Sequence, residues 1–265
     1  MYSYTYNELY SYTINAGMIE VKNINKTFGK NKVLDDVSFT FKSGKTNLVI
    51  GASGSGKTTL IKCMVGLHKP DSGNILFNNQ SIDELDKKSR RKLRKEIGML
   101  FQGGALFDYL NVEENIAFPL NMFTKMSQKE KTDRVNFCLK RVNLNNVNKM
   151  YPAELSGGMI KRVAIARAIS MNPKYLFCDE PNSGLDPQTA ILIDNLIQEI
   201  TQEYNITTIV NTHDMNSVME IGDNIAFIFK GKLAWNGNNE SIVKSEIQEL
   251  NDFVFASKLI KKLKK

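Results

Sequence analysis

The stretch that decides the fold is Gly51-Ala52-Ser53-Gly54-Ser55-Gly56-Lys57-Thr58-Thr59. Its spacing is that of the phosphate-binding pattern G-x-x-x-x-G-K-[ST], whose glycines let backbone N–H groups turn toward phosphate oxygens. The residues before it, 46–50, alternate as a strand does, and residues 60–67 predict a helix whose N-terminus adds a positive dipole. Lys57 is placed to reach the β- and γ-phosphates, and the Thr58 hydroxyl to bind Mg²⁺. The stretch therefore predicts a site for a nucleoside triphosphate.

Two acidic residues, Asp179 and Glu180, follow the apolar run of residues 175–178. That run predicts a buried strand, and its C-terminal end is where ligands bind in open α/β sheets. We expect Asp179 to hold the Mg²⁺ shell and Glu180 to take a proton from the attacking water.

A further glycine pair lies in Leu155-Ser156-Gly157-Gly158-Met159, called the signature segment below. It precedes a helical pattern over residues 160–169. Ser156 is a favourable N-cap, and the two glycines expose backbone N–H groups at the start of the helix. The signature segment is thus a second predicted phosphate-binding surface.

In their order along the chain, these motifs resemble those of the ATP-binding-cassette (ABC) ATPases, over about residues 18–239. The resemblance implies a P-loop NTPase fold of the α/β class with a RecA-like parallel-sheet core. It also implies an antiparallel β subdomain near the N-terminus and an inserted helical subdomain at about residues 103–155. An enzyme of this family binds ATP and Mg²⁺ and hydrolyses the ATP.

The same resemblance assigns roles to individual residues. Gln102 matches the glutamine that senses Mg²⁺ and the attacking water, and His213 matches the switch histidine that contacts the γ-phosphate. Phe28 matches an aromatic residue that stacks on adenine. The segment called the D-loop, which crosses to a second protomer in this family, is matched by Ser183-Gly184-Leu185-Asp186. The implied catalytic residues are Lys57, Gln102, Glu180 and His213, and the implied metal ligands are Thr58, Gln102 and Asp179.

The resemblance also implies a homodimer. In the family's active form, two head-to-tail protomers sandwich two ATP molecules, so that the signature segment of one closes on the γ-phosphate held by the other. Closure then assembles the site, and hydrolysis reopens it, as in a two-state switch.

Bulk properties are those of a globular domain: 265 residues, of which 42% are hydrophobic and 24% charged. No stretch approaches the roughly 18 uninterrupted apolar residues of a membrane helix, and no signal peptide is predicted. Transport would therefore need separate membrane subunits. The three cysteines, Cys63, Cys138 and Cys178, lack metal-ligand spacing. Cys63 and Cys178 have apolar neighbours in sequence, which predicts small core residues of a protein in a reducing compartment.

The chain has a net charge of +7, and two segments are especially rich in basic residues. Five lysines lie in the last eight residues: Lys258, Lys261, Lys262, Lys264 and Lys265. This tail is predicted to be a solubilising end or a contact to anionic lipid. The other basic run, residues 87–95, is predicted to be the exposed face of an ordinary helix. No nucleic acid partner is expected.

Both ends of the chain differ in composition from the middle. Residues 1–17 alternate tyrosine with polar residues, which predicts a disordered tail or a natural start at Met18. Residues 240–265 are predicted to form a helical, Lys-rich extension.

The residues after Gln102 occupy the family's docking surface for membrane subunits. They read Gly103-Gly104-Ala105-Leu106-Phe107-Asp108 and then V-x-x-N-I-A-x-P-L from Val112. This pattern resembles the ATPases of Mla-type lipid transporters. The small residues are predicted to leave room for a partner helix, with Leu106, Phe107 and Phe118 as apolar anchors.

The finer resemblance implies phospholipid transport between bacterial membranes from the cytoplasmic face of the inner membrane. Implied partners are a permease of the MlaE type, a protein with mammalian-cell-entry (MCE) domains and a small regulatory subunit. One alternative is another transporter, such as a lipoprotein-releasing or drug-exporting pump. A non-transport ABC protein acting on DNA or ribosomes is disfavoured, because the chain has one cassette and no coiled-coil insertion.

Overall fold

Two β-sheets enclose the helix that follows the phosphate-binding loop. The computed structural model describes residues 17–255. The strands, numbered in chain order, are β1 (Ile19–Phe28), β2 (Asn31–Phe41), β3 (Thr46–Ile50), β4 (Ser72–Phe77), β5 (Gln80–Ser81), β6 (Ile97–Leu100), β7 (Tyr175–Asp179), β8 (Thr207–Thr212), β9 (Asn224–Phe229) and β10 (Lys232–Gly237). The helices are α1 (Lys57–Met64), α2 (Lys87–Lys95), α3 (Val112–Phe123), α4 (Gln128–Arg141), α5 (Gly157–Ile169), α6 (Pro187–Glu203), α7 (Met215–Ile221), α8 (Asn239–Ile242) and α9 (Gln248–Val254).

The first sheet is antiparallel, in the order β2-β1-β4-β5. The second has the order β10-β9-β3-β8-β7-β6; all its strands are parallel except β10, which pairs antiparallel with β9. This architecture confirms the predicted α/β fold with a parallel core and an antiparallel subdomain. Since β3, β7 and β8 run parallel, their C-terminal ends meet at one edge of the sheet.

Alternate residues of β3 enter two separate cores. Val49 packs with α1 and the antiparallel sheet, whereas Leu48 and Ile50 pack with the helices on the opposite face. Every residue of β3 is buried, as expected for a parallel strand covered on both faces. The phosphate-binding loop therefore begins from a strand that is fixed on both sides.

Helix α1 begins at Lys57 and ends at Met64, three residues earlier at each end than the sequence predicts. Gly56, at φ 110°, lets the chain turn directly from the loop into the helix. Gly66, at φ 74°, has the left-handed conformation that commonly follows a helix end.

The predicted helical region contains α3 and α4, and both pack on α5. Val135, Leu139 and Val142 of this region, spaced four and three residues apart as on one face of a helix, are buried. Helix α5 carries the helical packing on to Ile169, beyond the predicted limit at residue 155. The subdomain limits themselves stay predictions.

The predicted tails lie mostly outside the described residues, including the five C-terminal lysines. Gly17, assigned to the N-terminal tail, instead packs in the fold, because its carbonyl accepts a 2.6 Å hydrogen bond from Thr207. Two short helices, α8 and α9, begin the predicted helical extension. Between residues 17 and 255, no helix combines the length and the apolar character needed to cross a bilayer.

Candidate active site

A cleft of about 1220 Å³ opens at the shared C-terminal edge of β3, β7 and β8. Residues from five predicted motifs, the D-loop among them, line it together: Ala52, Ser53, Gly54, Gly56, Lys57, Thr58, Thr59, Gln102, Glu180, Ser183, Gly184 and His213. The fold thus brings the phosphate-binding loop, Gln102, the acidic pair and the switch histidine to one place.

The loop of residues 51–56 approaches neighbouring backbone too closely for side chains at two glycines. A Cβ on Gly51 would lie 2.2 Å from the Ile228 carbonyl oxygen, and one on Gly56 would lie 2.7 Å from that of Val33. The Ser55 hydroxyl, also in the loop, is buried without a hydrogen-bond partner among the residues described. A phosphate oxygen in this cradle would satisfy it, so the loop fits the predicted ligand.

Lys57 is buried within the loop it follows. Its Nζ donates to the carbonyl oxygens of Gly51 at 2.8 Å and Ala52 at 3.0 Å. Burial lowers the pKa of the Lys57 ammonium, and the carboxylates of Glu180 and Asp179 oppose that shift. The carbonyls hold the ammonium at the base of the cleft, where its positive charge would attract a bound phosphate.

Thr58 and Asp179 supply oxygen ligands of the kind Mg²⁺ prefers. Thr58 Oγ1 donates to Asp179 Oδ1 at 3.2 Å. No group of three or more His, Cys, Asp or Glu side chains suited to a metal occurs in residues 17–255. A site of one carboxylate and one hydroxyl fits Mg²⁺, which usually completes its shell with substrate phosphates and water.

Asn211 is a site residue that the motif analysis missed. It pairs with Asp179 across β7 and β8, and its Nδ2 donates both to Asp179 Oδ1 and, at 3.1 Å, to Thr58 Oγ1. Its position two residues before His213, which matches a family motif, was the available signal. Asn211 therefore orients both candidate metal ligands.

Glu180 points into the cleft beside His213. The Glu180 Oε2 atom lies 2.8 Å from His213 Nδ1, so a proton on Nδ1 makes this contact a hydrogen bond. The Glu180 backbone has φ 50°, in the left-handed region that non-glycine residues rarely adopt, and its N–H donates to the Asn211 carbonyl at 2.9 Å. Because of this backbone turn, the side chains of Glu180 and Asp179 point in different directions.

Lys161, a second missed residue, links the signature helix α5 to the cleft. Its buried Nζ donates to the carbonyl oxygens of Gln102 and, at 3.4 Å, of Glu180. Burial lowers the pKa of its ammonium. The Gln102 side chain in turn donates from Nε2 to Ser183 Oγ at 3.2 Å. Gln102 lines the cleft, and its side chain bonds to Ser183 rather than to Thr58 or Asp179 within the part of the chain described.

The signature segment lies outside this chain's own cleft. Ser156 is exposed and caps α5, accepting from the Met159 N–H at 3.3 Å. Gly157 is exposed, whereas a Cβ on Gly158 would lie 2.7 Å from a Thr189 methyl group. Leu155 is buried under the helix.

Three further predicted residues, Phe28, Leu185 and Asp186, do not line the cleft. Phe28 does not line the cleft; it is 44% exposed, with its ring 5.4 Å from that of His68. In the D-loop, Leu185 packs against the core and Asp186 caps α6 by accepting from the Thr189 N–H at 3.0 Å. That contact, chiefly through the Thr189 side chain, lowers the pKa of the Asp186 carboxyl.

Known proteins resemble both the sequence and the fold. A family model described as ABC transporter matches residues 34–183. Over 243 residues the chain is 41% identical to the methionine import ATP-binding protein MetN of Clostridium tetani, covering 92% of this chain and 76% of that protein. Over 236 residues it is 36% identical to the probable ribonucleotide transport ATP-binding protein mkl of Mycobacterium leprae, covering 89% of this chain and 68% of that protein.

Among solved structures, the fold resembles a dimeric ATP-binding cassette in a post-hydrolysis state bound to ADP and Pi. The TM-score is 0.77 at 32% identity, over 83% of this chain and 98% of that chain. The family model covers more than half of the sequence, and the relatives match most of it. This chain, an ATPase that binds ATP with Mg²⁺, therefore belongs to the ABC transporter family.

Proposed function

We propose that this ABC ATPase powers a membrane permease that moves phospholipid, and that two copies of the chain act together. The main support is the segment of residues 101–120, called the docking segment below. It combines the lipid-transporter pattern with exposed apolar side chains beside the cleft.

The catalytic roles in this proposal follow from the cleft. Glu180 accepts a proton from the attacking water, and His213 orients the Glu180 carboxylate through Nδ1. Thr58 and Asp179, held by Asn211, bind Mg²⁺, which would neutralise phosphate charge. Gln102 would be a further ligand for the metal, and Lys57 would donate to phosphate oxygens in place of the loop carbonyls.

Dimer formation is supported by the position of the signature segment. Ser156 and Gly157 are exposed, and neither lines the cleft of its own chain. Their N–H groups, at the exposed start of α5, suit a phosphate held by another copy. The structural relative bound to ADP and Pi is itself dimeric.

The docking segment is held by its own fold and presents a few apolar groups outward. Arg167 donates to the carbonyls of Gly104 and Ala105, each at 2.8 Å, and the Asn115 side chain bonds the Phe107 backbone. The exposed side chains are Phe101, Tyr109, at 73% exposure, and Met122, at 54%, just past the segment.

Two expectations about the docking segment need correction. Leu106, Phe107 and Phe118 are each partly buried, because Leu106 packs on the core and the rings of Phe107 and Phe118 pack against each other, tilted by 49° with centroids 4.6 Å apart. Gly104 makes room for the chain's own α5, since a Cβ there would lie 2.9 Å from Ile160. Gly103 faces open space and is the position that leaves room for a partner helix.

The proposed partners are a permease of the MlaE type, an MCE-domain protein and a small regulatory subunit. The chain would then work at the cytoplasmic face of the inner membrane. A second candidate, methionine import, is favoured by the 41% identity to the MetN protein of Clostridium tetani. A lipoprotein-releasing or drug-exporting permease would use the same ATPase with another docking partner.

Affinity purification of the tagged chain from native membranes in mild detergent tests the cargo, with protein and lipid mass spectrometry as the readout. Recovery of a permease, an MCE-domain protein and phospholipid supports the proposal. Recovery of a permease whose complex hydrolyses ATP faster with methionine supports the second candidate. Recovery of the chain without any membrane protein would overturn transport as its role. The tagged Gly103→Val chain, purified in the same way, is the matched control: it should recover less of a specifically bound permease.

A further inference from the structure

A buried polar cluster joins the D-loop to the helix that follows the switch histidine. It consists of Asn182, Asp194 and Ser217, called the Asp194 cluster below. Asp194 lies on α6 and is 1% exposed. Its Oδ2 accepts from Asn182 Nδ2 at 2.8 Å and from Ser217 Oγ at 2.7 Å. Asn182 also donates to Ser217 Oγ at 3.0 Å.

The position of the cluster couples it to the candidate catalytic residues. Asn182 lies two residues after Glu180 and directly before the D-loop. Ser217 lies on α7, four residues after His213. Asp194 therefore bonds one residue that follows Glu180 in the chain and one that follows His213. Glu180 and His213 are the two candidate catalytic residues whose side chains contact each other.

Two buried acceptors in the cluster lack donors. Asp194 Oδ1 and Asn182 Oδ1 each have no hydrogen-bond partner among the described residues. The same two side chains are already joined along one edge, by Asn182 Nδ2 and Asp194 Oδ2. A proton on Asp194 Oδ1 can be donated to Asn182 Oδ1, which closes a cyclic acid–amide pair and satisfies both atoms.

The surrounding charges also favour the protonated form. Burial is the main cause that raises the pKa of Asp194 to about 6, against the hydrogen bonds from Ser217 and Asn182. The carboxylates of Asp214, which caps α7, and of Glu220 on that helix raise the pKa of Asp194 further. From β7, the thiol facing Asp194 is that of Cys178, whose own pKa is raised by burial.

We propose that Asp194 is a positioning residue that carries a proton and thereby locks the D-loop to α7, so that Glu180 and His213 keep their relative placement. This inference rests on the proposed roles of Glu180 and His213 and is independent of the transported cargo. Loss of the proton removes one of the two bonds between Asp194 and Asn182 and leaves a buried carboxylate.

The sign of the pH effect on stability follows from the raised pKa. Between about pH 4 and pH 6 the folded state keeps a proton that the unfolded state has lost, so stability falls as pH rises through this window. A shift from 3.8 to about 6 corresponds to a fall of roughly 100-fold in the folding equilibrium constant, which then stays level.

Asp194→Asn tests the proposal, because the amide imitates the protonated acid: its Nδ2 donates to Asn182 Oδ1 and its oxygen accepts from Asn182 and Ser217. We expect urea unfolding of this variant to lose the fall in stability between pH 4 and pH 7. The ratio of its kcat to that of the unmodified chain should rise from pH 6 to pH 8, since only the unmodified chain loses the proton. Asp194→Ala should lower kcat with little change in the KM for ATP, and Asp194→Asn should restore it.

Infrared spectroscopy provides a readout that does not depend on activity or on the variant folding well. With ¹³C-labelled aspartate, the full chain should show the C=O stretch of a protonated carboxyl group at pH 5 and lose it on titration. Asp133→Asn, at an exposed position on α4, should change neither the band nor the unfolding profile. Absence of the band, or a kcat ratio that is constant with pH, would overturn the role of Asp194. Failure of the Glu180 assignment would instead appear as an active Glu180→Gln enzyme with the Asp194 band intact.

Discussion

Glu180 owes its direction to an unusual backbone conformation. Its φ of 50° is costly for a residue with a side chain, by about 1–3 kcal/mol, and such strain is retained where the surrounding fold imposes it. Here the Asn211 carbonyl accepts from the Glu180 N–H and Lys161 holds the Glu180 carbonyl. The side chain consequently meets His213 rather than following Asp179 toward Thr58.

Glu180→Gln should keep ATP binding and lower kcat by roughly 10²–10⁴-fold, the usual contribution of a general base. The amide keeps the size of the side chain but cannot accept the proton of the attacking water. ATPase turnover and nucleotide affinity are the two measurements, and ATP should hold the variant as a dimer in gel filtration. Glu199→Gln, on the exposed face of α6, should behave like the unmodified chain. Turnover near the normal rate would remove Glu180 from the base role.

Asn211→Ala should raise the Mg²⁺ concentration required for half-maximal ATPase activity by roughly 10-fold or more, as the loss of residues that orient metal ligands commonly does. Asn211 donates to both Thr58 and Asp179, so its loss frees both candidate ligands. Nucleotide binding without Mg²⁺ should change little. The comparison variant is Asn136→Ala on the exposed side of α4. An unchanged Mg²⁺ dependence would contradict the role of Asn211.

At the scale of elements, the docking segment is shaped by α5. Arg167 of α5 holds two of its carbonyls, and the φ of 78° at Gly104 lets the backbone lie against Ile160. Movement of a partner on the docking segment would therefore reach α5, whose first residues form the signature segment. The same helix carries Lys161 to the backbone of Gln102 and Glu180.

Gly103→Val and Gly104→Val form a matched pair for this segment. Gly104→Val should destabilise the chain by about 2 kcal/mol or more, through the clash with Ile160 and the left-handed backbone. Gly103→Val should leave the Tm and ATP affinity unchanged but weaken assembly with the permease. Thermal unfolding and co-purification separate the two effects. Equal loss of Tm in both variants would contradict this account of the segment.

Helices α4 and α5 are joined by a buried arginine. Arg134 of α4 donates to the carbonyls of Ile169 and Ser170 at the end of α5, each at 2.8 Å. Because the helix ends here, no following turn supplies backbone N–H groups to these carbonyls. The guanidinium donates the hydrogen bonds instead.

Arg134→Met should lower the free energy of unfolding by about 2–3 kcal/mol, because charged hydrogen bonds are lost and buried carbonyls are left without donors. Lys149→Met is the matched control: Lys149 is exposed, and solvent screens its ion pair with Glu113, so the loss of stability should be much smaller. Urea unfolding measures both changes. A similar loss in the two variants would mean that the Arg134 contacts add little.

At the scale of the whole molecule, positive charge is gathered on α2. Seven of its nine residues are lysine or arginine, and none of the nine is buried. The exposed aromatic side chains, Phe28, Phe101, Tyr109 and Tyr151, lie on other elements of the described chain. A surface of this kind holds mobile counterions and lacks the stacking groups that single-stranded nucleic acids use.

We therefore expect no binding of double- or single-stranded DNA at about 0.15 M salt, where exposed charges are largely screened beyond ~8 Å. Fluorescence anisotropy with labelled oligonucleotides, in low and physiological salt, measures this. Weak binding that disappears with salt fits a non-specific effect of α2. Binding that persists at physiological salt would contradict this expectation and support an ABC protein that acts on DNA.

Sequence alone predicted the elements that depend on neighbouring residues. The strand before the phosphate-binding loop lies at Thr46–Ile50 as predicted, and the buried strand predicted over residues 175–178 is present as β7. The order of motifs predicted the family, because phosphate binding by a glycine loop and a helix start is a property of contiguous residues. The site roles that follow from this resemblance stay predictions.

Other features depended on which distant residues the fold brings together. The parallel pairing of β7 with β8 places Asn211 beside Asp179, and the packing of α5 places Lys161 under Gln102. No motif predicts these contacts, nor which side chains of the docking segment remain exposed, since Phe107 and Tyr109 look alike in sequence. Local signals thus determined the phosphate-binding loop and the class of fold. Strand order and helix packing decided the orientation of the ligands and the buried partners of Asp194, because those contacts join residues far apart along the chain.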